Sequence, residues 1–186
     1  NEKNTIIPFD LLSLIDDPRL QRMASENYIQ EEFPRNYSVP NADPYPNHKK
    51  IRIGYFSSDF RIHPVATLTA ELYETHDRSQ FEIHAFSFGP DTGDEMNLRI
   101  KSGVDFFHDI REMSERDAVV LARSLEIDIA IDLGGFTGDS RTGIFAMRVA
   151  PIQISYIGYL GTMGSEYYDY LIADQIMIPK KYQQYY

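Results

Sequence analysis

The stretch that decides the fold is Lys50–His76, KIRIGYFSSDFRIHPVATLTAELYETH. Its first part, Lys50–Ser57 (KIRIGYFS), predicts a short apolar strand. A polar loop follows, Ser57–Pro64 (SSDFRIHP), and then a helix over Pro64–His76 with proline at the first helical position, where its missing N–H costs nothing. Strand, loop and helix then recur toward the C-terminus. Phe81–Phe88 (FEIHAFSF) predicts a second strand and Glu95–Lys101 a helix. Val104–Asp109 predicts a third strand, and Ser114–Leu125 a helix with Ser114 as its cap and Asp117 completing a capping box. Ile127–Leu133 (IDIAIDL) predicts a fourth strand, Arg141–Arg148 a short helix, Ile152–Ile157 (IQISYI) a fifth strand and Tyr170–Ala173 a weaker sixth. Strands alternating with helices imply right-handed crossovers and a parallel sheet. The fold class is therefore α/β, a Rossmann-like doubly wound, mostly parallel sheet, expected over residues 49–186 and preceded by short helices.

Residues 1–48 read differently. Apolar positions at helical spacing over Pro8–Phe33 predict a helical leader, split at Asp16-Asp17-Pro18, where an aspartate caps and Pro18 opens the second helix. Pro34–His48 carries Pro34, Pro40, Pro44 and Pro46 and predicts an extended linker. No repeat of solenoid type is visible.

Hydrophobic residues make up 42% of the 186 and charged residues 25%, ordinary globular usage, and the formal charge is −10. A chain so acidic lacks the basic stripe that neutralises phosphates, so nucleic acid is not an expected partner; Lys49–Lys50 only flanks a strand. Without cysteine there is neither a disulfide framework nor a thiolate metal site, which fits a cytoplasmic protein. No apolar run approaches the roughly 20 residues of a membrane span, and no signal-peptide pattern opens the chain. The sequence starts at Asn1 and ends at Tyr185–Tyr186, and both ends read as cuts in a longer protein.

In doubly wound sheets ligands bind outside the carboxyl ends of the strands, so the loops to inspect are Ser57–Pro64, Gly134–Thr142 and Gly158–Gly164. The first supplies hydroxyls, a carboxylate and His63, which either takes a proton or contacts a ligand, or else caps the helix. The second is glycine-rich beside Asp132 and Arg141, but Gly134-Gly135-x-x-Gly138 is not a dinucleotide fingerprint, and no Walker sequence occurs. Asp132 either caps this turn or acts as a base. The third combines glycines with a hydroxyl. His48, His63, His76, His84 and His108 never pair at metal-ligand spacing, so no metal is expected, and no GxSxG elbow is present.

IRIGYFSSDFRIHPV (51–65) and DIAIDLGGFTGDSRTGIFAMRVAPIQISYIGYLGTMGSEYYDYLIAD (128–174) resemble the catalytic region of the O-linked N-acetylglucosaminyltransferase (SPINDLY-like) glycosyltransferases, in order and at family spacing across about Pro8–Tyr182. The signatures are SSDF-x-x-HP and FAxRxAPIQ-x-x-x-x-GYxGT-x-G. The leader looks like the segment that, in bacterial members, joins tetratricopeptide repeats to the catalytic region. The resemblance implies the first of two Rossmann-like lobes of a GT-B type enzyme that transfers a sugar, usually N-acetylglucosamine from UDP-GlcNAc, to Ser or Thr of proteins; some relatives use GDP-fucose. It implies no cofactor and no metal, and a fragment inactive alone, because the lobe supplying most nucleotide contacts lies beyond this sequence. An exposed inter-lobe face also implies self-association. Carried over by residue, His63 matches the histidine implied as base or as contact to sugar and acceptor. Gly135, Phe136 and Thr137 match the G-aromatic-Thr turn, and Leu160, Gly161 and Thr162 the loop approaching the donor. Three positions depart from the pattern: Leu160 replaces the usual proline, Phe136 stands where many bacterial members carry histidine, and Asp128 stands where animal members do.

Overall fold

A computed structural model describes residues 6–37, 39–40, 42–45 and 48–186. Pro46 of the proline-rich stretch lies outside the described residues. The leader forms α1 (Pro8–Leu12) and α2 (Pro18–Glu32). Pro18 occupies the first turn of α2, and the Asp17 carboxylate accepts from the Arg19 N–H at 2.9 Å. The break between the two helices is thus a cap followed by a residue that needs no hydrogen bond.

Six strands follow: β1 (Ile51–Ser57), β2 (Phe81–Ser87), β3 (Phe106–Asp109), β4 (Ile129–Asp132), β5 (Ile152–Tyr156) and β6 (Tyr170–Ile172). Between them run α3 (Pro64–Thr75), α4 (Glu95–Gly103), α5 (Glu115–Ser124) and α6 (Thr142–Ala146), and a 3-10 helix spans Lys180–Tyr185. All neighbouring strands are parallel, in the order β3-β2-β1-β4-β5-β6. Strand order reverses between β1 and β4, which makes their carboxyl ends the topological switch point. The Ser114 hydroxyl caps α5 by accepting from the Asp117 N–H at 3.1 Å, as the capping-box spacing predicts.

Burial on both faces explains why the central strands read as near-continuous apolar runs. On one face Phe56, Phe86 and Ala130 pack with Ala118, Val119 and Ala122 of α5, with Ile144 and Phe145 of α6, and with Ile29 of α2. On the other, Ile53, Tyr55, Ile83 and Ile131 pack with Ala66, Ala70 and Tyr73 of α3 and with Ile100 of α4. Tyr55/Phe56 and Ala130/Ile131 show the period of two that sends alternate side chains to opposite faces. Phe56 and Phe86 stack at 4.4 Å with ring planes 4° apart, at the centre of the first layer. The leader belongs to this layer, since Tyr28 meets Phe136 edge-on at 5.3 Å.

Candidate functional site

The strand register brings Phe56, Asp132 and Ser155 level at the carboxyl edge, with Ser57 one residue beyond. The loops after β1, β4 and β5 therefore leave the sheet side by side.

The post-β1 loop is tied down from within and from behind. The Asp59 N–H donates to Ser57 Oγ at 2.9 Å, Ser58 Oγ donates to Asp59 Oδ2 at 3.0 Å, and Arg61 donates to Asp59 Oδ1 at 3.1 Å. Helix α4 holds the outer part: Asn97 Nδ2 donates to Phe60 O at 2.7 Å, and the Asp94 carboxylate accepts from the Ile62 N–H at 3.0 Å while also capping its own helix. At the end of the loop His63 caps α3. Its Nδ1 accepts from the Val65 N–H at 3.3 Å and lies 3.7 Å from Asp59 Oδ2. A backbone N–H only donates, so Nδ1 carries the lone pair and the neutral ring's proton sits on Nε2. The imidazole, 35% exposed, borders a shallow groove of 450 Å³ formed with Ile62, Pro64, Thr67 and Leu68.

The post-β4 loop turns on Asp132. Its Oδ1 accepts from the Gly134 and Gly135 N–H groups at 2.9 and 3.1 Å, and Oδ2 accepts from the Tyr168 hydroxyl. Burial pushes the carboxyl up, against the pull of these three donors, and burial together with Asp132 holds the Tyr168 phenol well above its ordinary range. Of the two readings the sequence left open for Asp132, the structure shows the turn cap. Phe136 is buried, wedged edge-on between Tyr28 and Tyr159, and its ring faces the core. Thr137 Oγ1 closes the turn by donating to Gly134 O at 2.8 Å. The Arg141 guanidinium donates to the Ile110 and Met113 carbonyls at 2.9 and 2.8 Å.

The post-β5 loop lies across the post-β4 loop. Gly158 is so close that a Cβ there would sit 1.7 Å from Leu133 O, and Gly135, at φ 57°, leaves room for the Tyr159 side chain. Leu160 is 53% exposed at the tip, while Gly161 and Thr162 are buried behind it. On the far side of this loop a cavity of 710 Å³ opens between α2 and the β5–β6 edge, lined by Arg22, Glu26, Ser155, Thr162 and Tyr170.

Of the residues singled out from sequence, Gly135, Phe136 and Thr137 thus come together with Leu160, Gly161 and Thr162. Among the described residues no hydrogen bond or ring contact joins His63 to either loop. Asp128 sits at the opposite, amino end of the sheet, where it accepts from the Arg52 N–H at 2.8 Å and pairs with His48 Nδ1 at 3.1 Å. Asp94, Tyr159 and Tyr168 were not found from sequence; only their contacts across elements identify them. Among the described residues no group of three or more His, Asp or Glu is placed to hold a metal ion, and no helix is long and apolar enough to cross a membrane.

Strand order, with the loops after β1 and β4 leaving at its reversal and the post-β5 loop lying across the second, defines a Rossmann-type lobe. The model of "Glycosyl transferase family 41" matches residues 28–186, and the chain belongs to that family. It is 38% identical over 138 residues to a probable UDP-N-acetylglucosamine–peptide N-acetylglucosaminyltransferase SEC of Arabidopsis thaliana, covering 74% of this chain and 14% of that protein. The corresponding transferase of Caenorhabditis elegans is 33% identical over 135 residues, covering 72% and 12%. A mutant O-GlcNAc transferase of Thermobaculum terrenum superposes with a TM-score of 0.81 at 29% identity, covering 91% of this chain and 33% of that one. The fold is accordingly that of one lobe of a GT-B type catalytic region, and the chain spans about a seventh of the first of these relatives.

Proposed function

We propose that this chain is the first lobe of a protein O-glycosyltransferase that moves N-acetylglucosamine from UDP-GlcNAc to a Ser or Thr hydroxyl. The observation that carries the reading is that the matched segment sets its motif loops together at the carboxyl ends of β1, β4 and β5. In the reaction the acceptor oxygen attacks the anomeric carbon, the C–O bond to the diphosphate breaks, and UDP leaves. Here His63 donates a hydrogen bond through Nε2–H to an acceptor or sugar oxygen. With Nδ1 occupied by the Val65 N–H, the neutral ring has no lone pair facing outward, so the acceptor proton goes to another group. Leu160, Gly161 and Thr162 face the donor, and Gly135 and Thr137 set the turn beneath them. Phe136 serves as packing.

The diphosphate is held elsewhere, because the two loop arginines are engaged, Arg61 with Asp59 and Arg141 with carbonyls. That engagement also supports a second reading, a docking lobe without chemistry of its own. The test is transfer of labelled sugar to Ser/Thr peptides by the full-length parent protein, supplied in turn with UDP-GlcNAc and GDP-fucose. Label from UDP-GlcNAc supports the proposal, label from GDP-fucose alone changes the donor, and transfer from neither favours the docking lobe.

A further inference from the structure

Ile157 carries a φ of +61°, the left-handed region, and among the four non-glycine described residues found there it alone is β-branched. The Gly158 N–H donates to Tyr156 O at 2.9 Å, two residues back, so Ile157 is the centre of a γ-turn of the rare, strained kind. Such a conformation persists only where its surroundings over-determine it. On one side the Ile157 side chain packs against the second core layer. On the other, Gly158 rests on Leu133 O and Tyr159 is seated over Gly135 and edge-on to Phe136 at 5.1 Å. The turn therefore throws Tyr159–Thr162 back across the switch point, with Leu160 at the tip. Leu160 brings no ring to restrict the backbone, so the stiffness of this loop has to come from another source.

We propose that Ile157 is the positioning residue of the post-β5 loop: its strained γ-turn, locked by the Tyr159–Gly135 seat, fixes the Leu160–Thr162 tip that meets the donor. The functional half of this statement rests on the reading above; the conformational half does not. The test uses the full-length parent protein, comparing wild type, Ile157→Gly and the double variant Ile157→Gly/Leu160→Pro, by amide exchange and by transfer kinetics. Glycine gives the open loop more backbone freedom and removes the Ile157 side chain that packs against the second core layer, so exchange at Tyr159, Gly161 and Thr162 is expected to be about tenfold faster. KM for the donor rises by a similar factor while the melting temperature stays near wild type. Proline introduced at 160, which fixes φ there, recovers most of both losses. Exchange unchanged in Ile157→Gly, or losses that proline does not recover, overturns the positioning role. Should the wild-type protein transfer no sugar, the functional reading falls, and amide exchange still decides whether the turn stiffens the loop.

Discussion

His63 and Asp132 both looked able to move protons, and their partners give each a narrower task. The Val65 N–H fixes which nitrogen of His63 is protonated, and Asp132 spends both oxygens on the Gly134, Gly135 and Tyr168 donors. Asp132→Ala would leave three buried donors without an acceptor, and at about 1–3 kcal/mol for an unsatisfied group the expected loss is about 2–4 kcal/mol, with the remainder taken up by relaxation. Asp132→Asn keeps the oxygen facing the two amides and presents an NH₂ to a hydroxyl that can turn to accept, so its expected loss is within about 1 kcal/mol. Urea unfolding of the two variants checks this; an asparagine as damaging as the alanine would mean that the charge, not the cap, matters. The loop at the carboxyl end of β1 and the family motif pointed to His63, but its tautomer depends on a backbone contact that no composition or periodicity encodes.

At the level of elements, every strand and helix expected from periodicity is present, because apolar runs bounded by prolines, glycines and caps report local preference directly. Pairings between elements were less visible. His84 of β2 and His108 of β3 meet edge to edge, facing nitrogens 3.0 Å apart and ring centroids 5.3 Å apart, while His84 Nε2 holds Glu82 at 3.0 Å. This contact accommodates one proton between the rings, and a doubly charged pair would set N–H against N–H. Burial, and then His84, depress His108 to about 4, and burial lowers His84 as well despite Glu82. A histidine depressed in the folded state stabilises fully above its unfolded pKa of roughly 6.5 and loses that contribution as pH falls toward the folded value. Stability should therefore fall between about pH 6.5 and 4 in wild type, and less steeply in His108→Phe, as followed by urea midpoints. Equal slopes would remove the pair from the account. In sequence these two histidines lie on separate strands, and only the β2–β3 register brings them together.

For the whole molecule, strand order is what turns three unremarkable loops into one edge. The order reverses between β1 and β4, so the Ser57–Pro64 and Gly134–Thr142 loops leave from adjacent strands, and the post-β5 loop folds over the second. Alternation of strands and helices made the parallel sheet legible. Which loops interlock was not, because that depends on missing Cβ atoms at Gly135 and Gly158 and on the aromatic contacts of Tyr159. Nor was the burial of Phe136 legible: the motif matched it to the G-aromatic-Thr turn, and only the contacts with Tyr28 and Tyr159 show its ring in the core. The central claim is that the edge is half of a sugar-transfer site in which His63 is a hydrogen-bond donor. It is tested most directly by transfer of N-acetylglucosamine from UDP-GlcNAc by the full-length protein with wild type, His63→Ala and His63→Asn side by side. The account predicts a loss of about a hundredfold or more in kcat/KM for alanine, on the scale of a lost positioned hydrogen bond in a transfer site, and partial recovery with asparagine, whose amide still donates but takes up no proton. Transfer unchanged in His63→Ala would contradict it.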